Sequence, residues 1–343
     1  MYSTLFFLPA ISVAAGSNSA VVDPREIVSG VNAGLNPPLA QAENHPRFLT
    51  VRQDGKGDFT TISGAVDSIP ENNVRRVVIR IGPGVYKEKV KVVVNKPFVT
   101  FSGDRNAMPK ISFNGRAAEY GTLNSASVIV ESPYFVASNI IFENSAPRPV
   151  VGVEGAQAVA MRISGDMAAF YNCKFLGYQD TLCDDRGKHF FKDCFIQGTV
   201  DFIFGDGRSI YQNCMINSVA DGITYITAQA RSAAADYSGF SFINCNVTGT
   251  GNVYLSRAWR KYSRVIFSYT FMDNVVNPKG WDDEGFKDRD QTVFYGEYKC
   301  KGPGSATGNR VNYVKLLTDE QAQPFLNITF IWGNTWILQQ PQL

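Results

Sequence analysis

Residues 171–216 read YNCKFLGYQDTLCDDRGKHFFKDCFIQGTVDFIFGDGRSIYQNCMI. Three times in this stretch an Asx residue is followed by cysteine and then by an apolar segment: Asn172-Cys173, Asp193-Cys194 and Asn213-Cys214. The same unit recurs upstream as SNIIF (138–142) and downstream as INCNV (243–247). Its Asx residues are therefore Asn139, Asn172, Asp193, Asn213 and Asn244, spaced by 33, 21, 20 and 31 residues. A period of 20 or more residues, with one strand per period plus insertions, is the signature of a solenoid. Gly and turn residues separate the strands, no long helical segment lies between them, and β-branched runs such as RRVVIRI (75–81) and KVVV (91–94) dominate. The pattern predicts an all-β fold, a parallel β-helix in which each coil stacks on the last.

The repeat also serves as a ruler. Asp180 lies eight residues after Asn172 and Asp201 eight after Asp193, so the two occupy equivalent places on successive coils. Equivalent positions on neighbouring coils are about 4.8 Å apart. Two carboxylates that close cannot both ionise freely, and one pKa must rise. A protonated carboxyl beside an ionised one supplies an acid and a nucleophile in one site. Phe202 and Phe204 flank Asp201 and are expected to keep water away from it. Asp is also common at turns, and Asp221 falls eight residues after Asn213, so the ruler does not choose the catalytic pair by itself. Cys173, Cys194, Cys214 and Cys245 each follow the Asx and should stack, either as a buried ladder or as bonded pairs. In a secreted chain at least one disulfide is expected, with Cys183 and Cys300 as further candidates.

Composition bounds the rest. The 343 residues are 44% hydrophobic and 19% charged, a globular balance, and the net charge of +2 is too small to suggest a nucleic-acid partner. Leu5–Ala15 is an apolar run followed by Gly16, Ser17 and Ser19, so residues 1–20 read as a signal-peptide-like segment and the chain as secreted. No other stretch reaches the roughly 18 to 20 apolar residues that span a bilayer. Residues 21–46, punctuated by Pro24, Pro37, Pro38 and Pro46, read as an extended leader. A single domain is expected over 47–337, with a short helix at Ile62–Ile69 and a tail at 338–343. Asn246-Val-Thr and Asn327-Ile-Thr are glycosylation sequons.

The ordered segments GVYKEKV (84–90), YGTLNSA (120–126), QAVAMR (157–162), GYQDTL (177–182), DFIFG (201–205) and LSRAW (255–259) resemble the plant pectin methylesterase (pectinesterase) family, in the branch without an inhibitor-like pro-region. The resemblance covers nearly all of residues 47–337. It implies a right-handed parallel β-helix and hydrolysis of the C6 methyl esters of polygalacturonate in cell-wall pectin. Asp201 would be the nucleophile that forms an acyl-enzyme, and Asp180 the general acid and base. Gln157 and Gln179 would donate to the oxyanion, where one donor is typically worth about 3 kcal/mol. Arg257 would hold Asp201 ionised. Trp259, with Thr122 and Phe202, would bind the sugar chain. No metal or organic cofactor enters the scheme. The implied partners are pectin and a proteinaceous inhibitor, for a chain acting as a monomer.

Other classes fit less well. His45 and His189 are the only histidines, and His45 falls in the leader, which leaves little for a Ser-His-Asp or Cys-His mechanism. The cysteines lack zinc-type spacing. A pectin lyase or polygalacturonase would need signatures that are missing, such as Gly-His-Gly. A catalytically impaired wall-binding protein is the remaining alternative, and Ser256 is the feature that favours it. The family usually has Gly there. If that backbone needs a positive φ, Ser costs about 1 kcal/mol and shifts Arg257. Ala258 stands where the family has Pro. Trp332 stands where the family commonly has Asp, and it reads as structural.

Overall fold

In the computed structural model, residues 34–150 and 152–338 are described; the signal-like segment, the first half of the leader and all but the first residue of the tail fall outside them. The strands form the three faces of a parallel β-helix. One face is an eleven-stranded sheet that runs from Arg47–Val51 through Lys188–Lys192, Arg208–Gln212 and Gly239–Ile243 to Lys315–Leu316. The second includes Lys174–Leu176 and Phe195–Gly198, and the third Leu182–Asp184 and Ile203–Gly205. These two faces join into one fourteen-stranded sheet because the long strands Met215–Gln229 and Asn246–Arg257 pass from one to the other unbroken. Pairing between successive coils is parallel on every face, as in Phe190↔Ile210, Phe175↔Ile196 and Leu182↔Ile203.

The corner after the first face carries the Asx repeat. Asn139, Asn172, Asp193, Asn213 and Asn244 all take left-handed backbone conformations, with φ between 48° and 59°. Asn and Asp tolerate that region because their short polar side chains bond locally. Each backbone N–H here donates to the neighbouring coil, Asn172 to Lys192 O and Asp193 to Gln212 O, both at 3.0 Å. The side-chain amides stack as well. Asn172 Nδ2 donates to Asn139 Oδ1 at 2.8 Å, Asn213 Nδ2 to Asp193 Oδ1 at 3.2 Å and Asn244 Nδ2 to Asn213 Oδ1 at 2.8 Å. The ladder is interrupted once, because Asp193 has no N–H to offer Asn172.

Inside the coils like stacks on like. Two positions before Asn172, Asp193, Asn213 and Asn244, the rings of Phe170, Phe191, Tyr211 and Phe242 stack, and Phe267 on the next coil extends the stack, with centroids 4.4 to 4.8 Å apart. One position after it, Cys173, Cys194, Cys214 and Cys245 point into the core and stay free thiols, as do Cys183 and Cys300. The expected disulfide is not formed; the inward ladder of small apolar side chains is what the repeat builds. His189 is fully buried, between Asp184 Oδ1 at 2.5 Å and Gly165 O at 3.0 Å, and Tyr211 donates to the other Asp184 oxygen at 2.6 Å.

The end of the solenoid is closed by the helix Ile62–Asp67, inside the span expected to be helical. Thr61 caps it, Glu88 accepts from the N–H groups of Ile62 and Ser63, and Ile62, Ala65 and Val66 are buried in the core. Part of the segment read as an extended leader is instead helical. Pro37–Glu43 starts with proline, whose fixed φ suits a first turn, and buries Leu39 and Ala42 against a cluster that includes Ile328, Ile331 and Trp336. Proline marked the start of a helix there, and the apolar face of that helix found a partner some 290 residues away that local reading does not see.

The ladder makes a stability prediction. Asp193→Asn supplies the missing donor and should raise the melting temperature by about 1–2 °C. Asn213→Ala removes a donor and an acceptor and leaves alanine at φ 56°, so it should lower it. Scanning calorimetry of the two variants reads both signs; a lower value for Asp193→Asn would show that the break in the ladder is not a weak point.

Candidate active site

Asp180 and Asp201 sit at the corner that leads into the third face, and both are left-handed, with φ 65° and 52°. Asp180 N–H donates to Val200 O at 3.0 Å, and Asp201 N–H to Tyr225 O at 2.9 Å. The strands that follow pair Leu182 with Ile203, so the two aspartates are in register on adjacent coils. Their carboxyls are therefore about one coil spacing, ~4.8 Å, apart. Both residues are more than nine-tenths buried, yet both line one cleft of ≈ 280 Å³.

Asp221 does not join them. The strand Met215–Gln229 shifts register between Val219 and Ile223. The extra residues displace Asp221 outward, where it pairs with Arg148 at 2.8 Å, and the coil register instead sets Tyr225 beside Asp201. The eight-residue ruler holds for two coils and fails at this insertion.

Arg257 ends the strand Asn246–Arg257 and approaches Asp201 in a fork. Nε donates to Oδ1 at 2.8 Å and Nη2 to Oδ2. Its guanidinium carbon lies 5.3 Å from the Tyr225 ring and 5.1 Å from the Trp259 ring. Its remaining Nη1 donates to Glu284, whose other oxygen accepts from Arg289 at 3.1 Å. Glu284 is the residue that sequence reasoning missed. It lies in the acidic run WDDEG (281–285), adopts φ 55°, and carries no local signal that ties it to Arg257.

The electrostatics separate the two acids. Burial, and then the charge of Asp201, push the Asp180 carboxyl well above the usual carboxylate range, and Arg257 offsets only part of this. Burial also raises Asp201, and the two Arg257 hydrogen bonds and the Arg257 charge offset only part of that rise, to which Glu284 adds a smaller upward push, so Asp201 stays raised but less than Asp180. Asp180 thus holds the shared proton and Asp201 is the more readily ionised.

Thr122, Gln157, Gln179, Arg257 and Trp259 line the same cleft as the two acids, together with Leu123, Phe204, Gly205, Ala228 and Ala230. Among the described residues no hydrogen bond occupies the side-chain amide of Gln157 or Gln179, whose backbone carbonyls bind Ala117 N–H and Ala158 N–H. Trp259 is 44% exposed, beside the cleft. Phe202 departs from expectation: it is fully buried in the core. Alternation along Ile203–Gly205 turns Ile203 inward and the partly exposed Phe204 to the cleft, whereas Phe202 precedes that strand, at the left-handed corner of Asp201, and packs into the core. Ser256 has no positive φ, is buried, and donates to Thr227 O at 3.2 Å. The backbone penalty expected for it does not arise, and Arg257 reaches Asp201. Trp332, expected to be structural, is 56% exposed.

The pectinesterase family model matches residues 48–334. An Arabidopsis thaliana relative, provisionally named pectinesterase 63, is 55% identical over 85% of this chain and 86% of its own. Pectinesterase 1 of Olea europaea is 47% identical over 89% of this chain and 84% of its own. Among solved structures, pectin methylesterase from carrot superposes with a TM-score of 0.79 at 36% identity, covering 84% of this chain and 94% of that one.

The charge arrangement is testable by ¹³C-carboxyl NMR titration. Asp201→Asn removes the neighbouring anion, so the midpoint of Asp180 should fall. Arg257→Gln removes the cation and both hydrogen bonds, so the midpoint of Asp201 should rise. An Asp180 midpoint that stays put in Asp201→Asn would mean that burial alone sets it.

Proposed function

Because the chain belongs to the pectinesterase family, we propose that it hydrolyses the methyl esters of pectin and that Asp201 and Asp180 carry the reaction. It is a carboxylic ester hydrolase: C6 methyl esters of polygalacturonate become free carboxylates, and methanol leaves. The observation that carries the residue assignment is the pair of buried carboxylates in register on adjacent coils, only one of them clamped by a guanidinium.

In this reading an Asp201 oxygen attacks the C6 carbonyl carbon, and the carbonyl electrons move onto oxygen. The free amides of Gln157 and Gln179 face the cleft and donate to that oxyanion. As the intermediate collapses the C6–OCH₃ bond breaks, and Asp180 gives its proton to the departing methoxy oxygen. The product is an acyl-enzyme, a mixed anhydride on Asp201. Asp180, now ionised, takes a proton from water, the hydroxide adds to C6, and Asp201 departs as the carboxylate that Arg257 stabilises. Trp259 and Thr122 at the cleft wall hold the sugar chain, and Phe204 takes the place first given to Phe202.

We infer further that the chain acts outside the cell at the wall. Its substrate is a wall polymer, and the segment 1–20 reads as a secretion signal. Among the described residues no helix is long and apolar enough to cross a membrane. The exposed Asn246 is available for glycosylation, an inhibitor protein is a partner the resemblance implies, and the monomer is the acting form.

Methanol release from highly methylated pectin tests the assignment. Asp201→Asn should abolish it and form no acyl-enzyme. Asp180→Asn should slow it by roughly 10²- to 10⁴-fold with pectin binding kept. The wild-type pH profile should be bell-shaped: activity rises as Asp201 ionises and falls as pH climbs through the raised pKa of Asp180. Near-normal turnover in Asp180→Asn, with acyl-enzyme still trapped in Asp201→Asn, would reverse or remove these roles.

A further inference from the structure

Around the corner from the cleft lies a group of cations that the chemistry does not use. Gly205 and Ala230 line the cleft; three residues past Gly205, Arg208 begins a strand of the first face, in register with Lys188 on one side and Gly239 on the other. A Cβ at Gly239 would come within 2.8 Å of Arg264 Cδ. Because glycine stands there, the Arg264 side chain crosses that coil toward Arg208. Burial and the positive Arg231 and Arg208 bring the Arg264 pKa down to about 10. Among the described residues neither Arg208 nor Arg264 makes an ion pair, and the buried Nε of each lacks a hydrogen-bond acceptor. Lys188 is paired with Asp166 at 2.7 Å, and Asp206 accepts from Ser238 at 2.5 Å rather than from either arginine.

Aromatic rings border the same cations. The Arg208 guanidinium carbon is 4.8 Å from the Phe330 ring, 5.5 Å from that of Trp332 and 5.7 Å from that of Tyr237. Trp332 and Tyr237 are 56% and 73% exposed. Trp332 is also held at φ 53°, a conformation that is costly for a bulky residue. Unmatched guanidinium groups forced together call for an anion, and exposed rings beside them suit the flat face of a sugar. A uronate chain offers both at once.

We propose that Arg208, Arg264, Trp332 and Tyr237 form a second carbohydrate-binding site that takes the carboxylates of de-esterified polygalacturonate, the product of the reaction. The inference rests on the reading of the chain as a pectin esterase. Each turnover converts a neutral ester into an anion, so a cationic site at the edge of the cleft separates product from substrate. It keeps hold of a stretch already demethylated while the neighbouring residues enter the cleft.

Isothermal titration with a ten-residue galacturonate oligomer, de-esterified or fully methylated, of the full chain carrying Asp201→Asn, so that the ester is not consumed, tests this. The expected result is that R208Q/R264Q weakens binding of the de-esterified oligomer by at least roughly tenfold, the loss of one charge-assisted contact, and leaves the methylated one unchanged. Trp332→Ala, a substitution at an exposed ring, should weaken binding without altering the melting temperature, which covers the case in which the double variant fails to fold. With Asp201 intact, methanol release from short methylated oligomers should persist in both. Wild-type affinity for the de-esterified oligomer in R208Q/R264Q and in Trp332→Ala, or equal weakening toward both oligomers, would overturn the site. Absence of methanol release from the wild type, with this binding intact, would instead refute the esterase reading.

Discussion

Every coil of this protein repeats the one below at the spacing of parallel strands, so each side chain meets its own equivalent about 4.8 Å away. That constraint favours some groups and penalises others. Amides gain from it, because each can donate upward and accept from below, as Asn213 and Asn244 do. Flat rings gain from it, as Phe191 and Tyr211 do at 4.6 Å. Thiols tolerate it as small apolar groups. Carboxylates do not, and the candidate active site lies where the fold stacks two of them.

The cost of that stack is met unequally, and the inequality is the chemistry. A symmetric pair would share its proton without preference. Arg257 breaks the symmetry by forking onto Asp201 alone, while Asp180 is left with burial and a like charge. Arg257 is in turn held by Glu284, itself tied to Arg289, and is flanked by the rings of Tyr225 and Trp259. The guanidinium thus reaches the proposed nucleophile already oriented, so little reorganisation remains when charge moves in the proposed reaction.

The same stacking brings cations together at the neighbouring corner, with a different outcome. Lys188 finds Asp166, but among the described residues Arg208 finds aromatic faces and the neighbouring Arg264, and neither arginine finds a carboxylate. Two features make that arrangement possible, the missing side chain at Gly239 and the exposed Trp332. One solenoid edge therefore carries an acid pair suited to a neutral ester and, beside it, a basic pair suited to the anion that the ester becomes.

Much of this was legible in the sequence because a solenoid converts sequence spacing into spatial distance. The Asx-Cys unit determined the order of the coils, the stacking of the cysteines and the adjacency of Asp180 to Asp201, all of which follow from the 21- and 20-residue spacings. Where the period broke, the ruler broke with it: the register shift after Val219 carried Asp221 to the surface. Side-chain facing was also beyond it, since Phe202 turns inward at the corner after Asp201 and Phe204 reaches the cleft only because the strand begins between them, at Ile203. Whether the cysteines would bond, and that Pro37–Glu43 would fold back as a helix, depended on partners distant in the chain. The grip of Arg257 on Asp201 across 56 residues, which only the family resemblance implied, of Glu284 on Arg257 across 27, and of the Trp332 ring on Arg208 was decided by the tertiary structure. Those contacts join coils through side chains that carry no periodic mark, and only the packed coils bring them within reach.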